Sequence, residues 1–93
     1  MSLTETLAAY ILQLEHCLAN THRAEDRPIY GQLLSDTAGL LAGSVMNEPL
    51  PMLQLRIDRH ERLWGQIWLQ DEIYREAYRA WENAKNEALH LAI

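Results

Sequence analysis

The second half of the chain lacks the residues that most strongly break a helix, apart from one glycine. After Pro51 the sequence contains no further proline, and Gly65 is the only glycine in that stretch. Charged residues recur there at helix-pairing spacing, as in Glu82 with Lys85. This pattern predicts one long helix over about 51–91, with Gly65 as the point where it could kink.

A shorter helix is predicted at the start of the chain. Ser2 and Glu5 have the three-residue spacing of a capping box, in which each side chain satisfies a polar group of the first turn. Apolar side chains then recur at steps of three and four residues. Together these features predict a helix over about 3–20.

A second short helix is predicted over about 27–42. Asp26 suits the N-cap position, and Pro28 is tolerated in a first turn because its missing amide hydrogen would have no partner there. Gly31 and Gly39 lie inside this segment. Each glycine either lowers the helix propensity by up to about 1 kcal/mol or allows a neighbouring helix to approach closely.

These elements predict an all-α fold and a single helical domain over 1–93. The arrangement we expect is up-down-up: a short helical hairpin packed on the long C-terminal helix. The long helix would extend about 60 Å, whereas a compact domain of this length has a radius of gyration near 12 Å. The hairpin could therefore cover only about half of the long helix, since its own helices reach about 25–30 Å.

The apolar side chains of the long helix change face along its length. Leu53 and Trp64 belong to one face, whereas Tyr74 and Trp81 belong to another about a quarter turn away. Either the helix bends or breaks near Gly65 and folds back on its own chain, or it continues and its distal half packs on a second copy. We adopt the second interpretation as the prediction, since the residues after Trp64 contain little besides Gly65 to stop a helix.

Clustered aromatic residues indicate where two copies would meet. The chain has no Phe, 3 Trp and 4 Tyr. Trp and Tyr tolerate partial exposure and are enriched at interfaces. We predict a homodimer through an aromatic seam of Trp64, Trp68, Tyr74, Tyr78 and Trp81. The alternative is that these residues form a core closed within one chain.

A carboxylate lies between the two apolar faces. Asp71 is next to the aromatic residues on the helical wheel and four residues before Arg75. It could be buried in the seam and set the register of the dimer, as polar seam residues do in coiled coils. The alternative is an ordinary carboxylate at the rim of the seam, in water.

The only concentration of basic residues lies in the first half of the long helix. Arg56, Arg59 and Arg62 could bind a phosphate or an acidic partner, because guanidinium groups match such anions. However, Asp58 and Glu61 lie among them, and three-residue spacing winds the arginines around the helix. A solvated, mutually paired face is the alternative.

The sequence contains none of the local patterns that indicate catalysis or metal binding. The four histidines have no metal-ligand spacing, and no Cys-x-x-Cys, H-E-x-x-H or glycine-rich phosphate loop occurs. We therefore expect no catalytic residue, metal or cofactor. Cys17 is the only cysteine, so no intramolecular disulfide can form, and a cytoplasmic location is the simplest expectation. The net charge of −5 disfavours nucleic acid, and no apolar run is long enough to span a membrane.

The sequence thus predicts a small cytoplasmic helical interaction module, such as an adaptor, small chaperone or regulatory subunit. Its expected partners are a second copy of itself and an unidentified protein. The alternative is an acidic inhibitor or immunity-type protein that blocks a basic surface on an enzyme or nucleic-acid-binding protein. Residues 1–50 hold six carboxylates and two arginines, a formal charge of −4, which motivates this alternative.

Overall fold

The part of the chain that the structure describes, residues 2–45, 49–67 and 72–91, contains four α-helices and no strand. The structure is a computed structural model. The helices are α1 (Leu3–Asn20), α2 (Arg27–Val45), α3 (Leu50–Trp64) and α4 (Ile73–Leu91), and a 3₁₀ turn (Ala24–Asp26) precedes α2. The predicted all-α class is confirmed.

The first helix begins as its capping residues predict. The Ser2 hydroxyl oxygen accepts a hydrogen bond from the Glu5 amide at 3.2 Å and donates to the Glu5 carboxylate at 3.1 Å. One face of α1 is buried, and its members recur at helical spacing: Leu3, Thr6, Leu7, Tyr10, Leu14 and Cys17. The predicted bounds of 3–20 are those of the structure.

The 3₁₀ turn places Asp26 inside the protein instead of at a solvated cap. The Asp26 side chain is buried, and its carboxylate lies 3.4 Å from Nε of Arg23. The two glycines of α2 differ in their surroundings. A methyl group at Gly31 would meet nothing within 4 Å, whereas one at Gly39 would lie 3.2 Å from the Arg56 guanidinium of α3. Of these two glycines, only Gly39 lies close to another helix, and the group that approaches it is the flexible side chain of Arg56.

The prediction of a single helix over 51–91 is wrong. Helix α3 ends at Trp64, and the next residues form turns closed by hydrogen bonds from Gln66 to Leu63 and from Ile67 to Trp64, both 3.1 Å. The physical reason is the change of apolar face. A straight helix would direct its two faces about a quarter turn apart, whereas an end at Trp64 lets Trp64 of α3 and Trp81 of α4 both enter one core.

The second half of the predicted helix folds back onto its own chain. Helix α4 packs along α1, α1 packs along α2, and α2 packs along α3. Four α4 side chains at helical spacing are buried against this core: Ala77, Trp81, Ala84 and Ala88. Four packed helices thus replace the predicted three-helix up-down-up arrangement, and the described residues extend only 38 × 23 × 18 Å.

Candidate functional site

A chain of polar side chains crosses the centre of the apolar core. Nδ1 of His60 lies 2.8 Å from Oδ2 of Asp36, and Nε2 of His60 lies 2.6 Å from the Tyr10 hydroxyl. The Tyr10 hydroxyl in turn accepts a hydrogen bond of 2.8 Å from Nε1 of Trp64. Tyr10 and His60 are fully buried. This buried polar network therefore ties α1, α2 and α3 together.

The network fixes where each proton lies. Because the carboxylate of Asp36 only accepts when ionised, Nδ1 of His60 carries the hydrogen that is donated to it. Nε2 of His60 is then the acceptor for the Tyr10 hydroxyl proton, and the Tyr10 oxygen is the acceptor for Trp64. Each of these donors has an acceptor, which is the condition under which a buried polar network stabilises a fold.

Burial keeps the two titratable groups at the centre of the network neutral. Burial lowers the pKa of His60 below its ordinary value of 6.5, and this effect outweighs the opposing hydrogen bond and charge of Asp36. Burial likewise raises the pKa of Tyr10 well above its ordinary value of 10.0. A neutral imidazole and a neutral phenol are the forms that match the hydrogen-bond pattern.

The order Asp36, His60, Tyr10 has the acid, base and hydroxyl arrangement of a nucleophilic triad, but the two groups that would react, His60 and Tyr10, are buried. A nucleophile must contact substrate, and neither Tyr10 nor His60 has exposed surface. The raised pKa of Tyr10 also disfavours the phenolate. The sequence carried a signal for this network: His60 lies three residues after Ile57 and four before Trp64, on the buried stripe of α3.

Aromatic rings from α4 close the core around this network. The Trp81 ring lies 4.2 Å from the His60 ring and 5.6 Å from the Tyr10 ring, measured between centroids. Tyr78 contacts Trp64 edge to face at 5.4 Å. A salt bridge of 2.6 Å between Lys85 and Glu61 adds a link between α4 and α3, and this hydrogen-bonded contact raises the pKa of Lys85.

The predicted aromatic seam is only partly at the surface. Trp64 and Trp81 are 2% and 1% exposed, so almost all of each indole is used within the chain. Tyr74 and Tyr78 are half-buried and line an open groove with Glu61 and Gly65. The homodimer seam stays a prediction, and Tyr74 and Tyr78 are the members that keep surface for it.

Two of the predicted interface residues lie outside the described part of the chain. They are Trp68, assigned to the seam, and Asp71, assigned to its register. Their predictions stay untested. Arg75, the expected partner of Asp71, is exposed on α4.

Although three-residue spacing winds the arginines around α3, all three line one groove on its outer side, together with exposed apolar side chains. Met52 is 49% exposed and Leu55 is 62% exposed. With Asp58 they line a shallow groove that also contains the three arginines. We call this surface the α3 outer face: Met52, Leu55, Arg56, Arg59 and Arg62. Asp58 borders this face and Asp36 of α2 is paired with Arg59, so three guanidinium groups and two carboxylates leave a formal charge of +1.

The arginines of this face are not equally available to a ligand. Arg59 donates a hydrogen bond of 2.8 Å to Oδ1 of Asp36 and so joins the buried polar network to the surface. The Arg56 guanidinium lies against Gly39 of α2. Arg62 is exposed at the end of the groove. Anion binding by the three arginines stays a prediction, and Arg62 is the member with the greatest freedom to take part.

Comparison with known proteins gives no relative to guide the choice between these surfaces. The chain matches no protein-family model, no curated protein and no solved structure. Within the described ranges, no group of three potential ligand side chains could hold a metal ion. No helix in those ranges combines the length and apolar character needed to cross a membrane. The function must therefore be argued from the surfaces themselves.

Proposed function

We propose that the chain is a small helical interaction module that binds another protein through the α3 outer face. The observation that supports this is the exposure of Met52 and Leu55. The opposite side of α3 is fully used in the core, where Leu53, Ile57 and His60 are buried. The exposed side is therefore free to make contacts outside the chain.

The composition of this face is that of a contact surface. Met and Arg are enriched at protein interfaces relative to the rest of the surface. Met52 and Leu55 are three residues apart, so their side chains are neighbours on the helix. A flexible thioether and a branched aliphatic group bordered by guanidinium groups suit a partner helix with an apolar stripe.

The charge of the face indicates the chemistry of its partner. With its two neighbouring carboxylates, Asp58 and Asp36, the face still carries a formal +1, whereas the whole chain carries −5. A basic patch on an acidic chain attracts a segment that is locally acidic. The partner segment is therefore an amphipathic helix with carboxylates beside its apolar residues. In binding it, this chain acts as an adaptor, small chaperone or regulatory subunit.

The acidic inhibitor is the weaker candidate, because two of the carboxylates that motivated it serve the fold. Asp26 is buried and paired with Arg23. Asp36 is nearly buried and bonded to His60 and Arg59. Fewer carboxylates of the first half are therefore left to meet a basic target.

Site-specific photo-crosslinking in the native cell tests the proposed function. A photoreactive amino acid replaces Leu55, and a matched control places it at Asn86, an exposed position on α4. The expected result is a discrete protein adduct from position 55 that is absent from position 86. The adduct should also disappear when Met52→Glu is added. Equal labelling from both positions would contradict a binding role for this face.

A further inference from the structure

A second exposed leucine lies on α1, in surroundings of opposite charge. Leu12 is 67% exposed, the highest value among the large exposed apolar side chains of the described residues. Its exposed neighbours at helical spacing are Ala8, Ala9, Glu15 and His16. Glu5, whose carboxylate also accepts from the Ser2 hydroxyl, lies further along the same side. Helix α1 contains two glutamates and neither Lys nor Arg. We call this surface the α1 outer face: Glu5, Ala8, Leu12 and Glu15.

We propose that the α1 outer face of a second copy of this chain binds the α3 outer face. This inference rests on the proposed function and names the partner. Each face has a strongly exposed leucine, Leu12 or Leu55, that contact with the other face would remove from water. The carboxylates beside Leu12 match the guanidinium groups beside Leu55, so association satisfies both the apolar and the charged groups.

The packing of the helices determines the form of this association. Helices α1 and α3 both pack against α2, and their buried stripes face each other at the centre, where Tyr10 contacts His60. Their outer faces therefore point in different directions, and one partner cannot cover both. The contact is head-to-tail: each copy presents its α3 outer face to one neighbour and its α1 outer face to another. Such contacts continue to longer assemblies unless they close into a ring.

Head-to-tail contact makes a complementation experiment possible. Leu12→Lys blocks the α1 outer face by placing a cation opposite the arginines, and Leu55→Glu blocks the α3 outer face by placing a carboxylate opposite the glutamates. Both positions are exposed, so neither change disturbs the core. In a solution of one variant, every copy carries the same blocked face, so no contact between an intact α1 outer face and an intact α3 outer face can form. A mixture of the two has one intact pair, because the α3 outer face of the Leu12→Lys protein meets the α1 outer face of the Leu55→Glu protein.

Analytical ultracentrifugation at low salt measures the mass of each species. Protein concentrations up to about 100 µM are used, because contacts of micromolar affinity are then nearly saturated. The wild-type mass should exceed the 10.8 kDa of one chain and rise with concentration. Each variant should stay at 10.8 kDa, and their mixture should form a complex of 2 × 10.8 = 21.6 kDa. Salt should weaken the association, since exposed charges are screened. Asn86→Glu, an exposed change on α4, should associate as the wild type does.

Three outcomes would overturn the inference. They are a wild-type protein that stays monomeric at all concentrations, self-association that survives Leu12→Lys, and a mixture that forms no complex. The proposed function fails separately. Adducts from position 55 to a different protein, in a chain that sediments as a monomer, would leave the α3 outer face as a binding surface but give it another occupant.

Discussion

The Tyr10 hydroxyl and Nε2 of His60 lie 2.6 Å apart in a core from which water is excluded. Tyr10 is on α1 and His60 is on α3, and Asp36 of α2 holds the other side of the imidazole at 2.8 Å. Three helices therefore meet through directional contacts as well as apolar ones. Directional contacts of this kind favour one arrangement of the helices over others of similar apolar burial.

Removal of the Tyr10 hydroxyl should destabilise the fold. Tyr10→Phe leaves Nε2 of His60 without its donor and Nε1 of Trp64 without its acceptor, both in a buried site. We expect the free energy of unfolding to fall by about 1–3 kcal/mol, the cost of unsatisfied buried polar groups. Urea denaturation followed by circular dichroism measures it. Tyr74→Phe, at a half-buried position, is the matched control, and an equal loss in both variants would contradict a special role for the network.

Stability should fall when the pH is lowered through the range in which an unfolded histidine takes up a proton. The pKa of His60 is lowered in the fold by burial, so the unfolded state binds the proton first. The contribution of His60 is fully present above about pH 6.5 and is lost as the pH falls toward the lower folded-state value. Urea midpoints across this range should show a steeper decline for the wild type than for His60→Gln.

The protonation of His60 can also be followed directly in the wild-type protein. The proton NMR signals of the His60 imidazole should keep the chemical shifts of the neutral ring at a pH where a histidine in the urea-unfolded chain is protonated. A His60 ring that titrates alike in the folded and unfolded chain would show that burial does not control its charge.

Asp36 and Arg59, which form an ion pair, should contribute unequally to the free energy of unfolding. Asp36→Ala removes the acceptor of the buried His60 as well as that of Arg59, and we expect a loss of about 1–3 kcal/mol. Arg59→Ala removes only the exposed partner, whose side chain is 64% exposed, and we expect a loss of less than about 1 kcal/mol. Chemical denaturation of both variants measures the difference. Equal losses would mean that Asp36 acts only through Arg59.

Gly31→Ala should stabilise the protein. Gly31 lies within α2, and a methyl group there meets no atom within 4 Å, so the higher helix propensity of alanine is gained without a clash. We expect an increase of about 0.5–1 kcal/mol in the free energy of unfolding. Gly39→Ala is the comparison, because its methyl group would displace the Arg56 guanidinium. A thermal melt of each variant is sufficient, and a lower melting temperature for Gly31→Ala would contradict the prediction.

Part of the buried polar network could be predicted from local sequence, and part could not. The stripe Leu53, Ile57, His60 and Trp64 shows that His60 lies on the buried side of α3. No local pattern connects it with Tyr10, which is fifty residues away, or with Asp36, which is twenty-four residues away. Hydrogen bonds of this kind depend on how three helices are placed around one another.

The sequence by itself determined the helical content and the side of each helix that is buried. Capping residues, glycines and three- and four-residue apolar spacing act within a few turns, and the bounds of α1 follow from them. The end of the third helix at Trp64 was decided by tertiary structure, because the only local opposition to a continued helix is Gly65, which costs about 1 kcal/mol. Burial of Trp64, Ile67 and Trp81 in one shared core outweighs the hydrogen bonds that a straight helix would keep. That choice brings Trp64 and Trp81 inside, while Leu12 and Leu55 stay exposed to solvent.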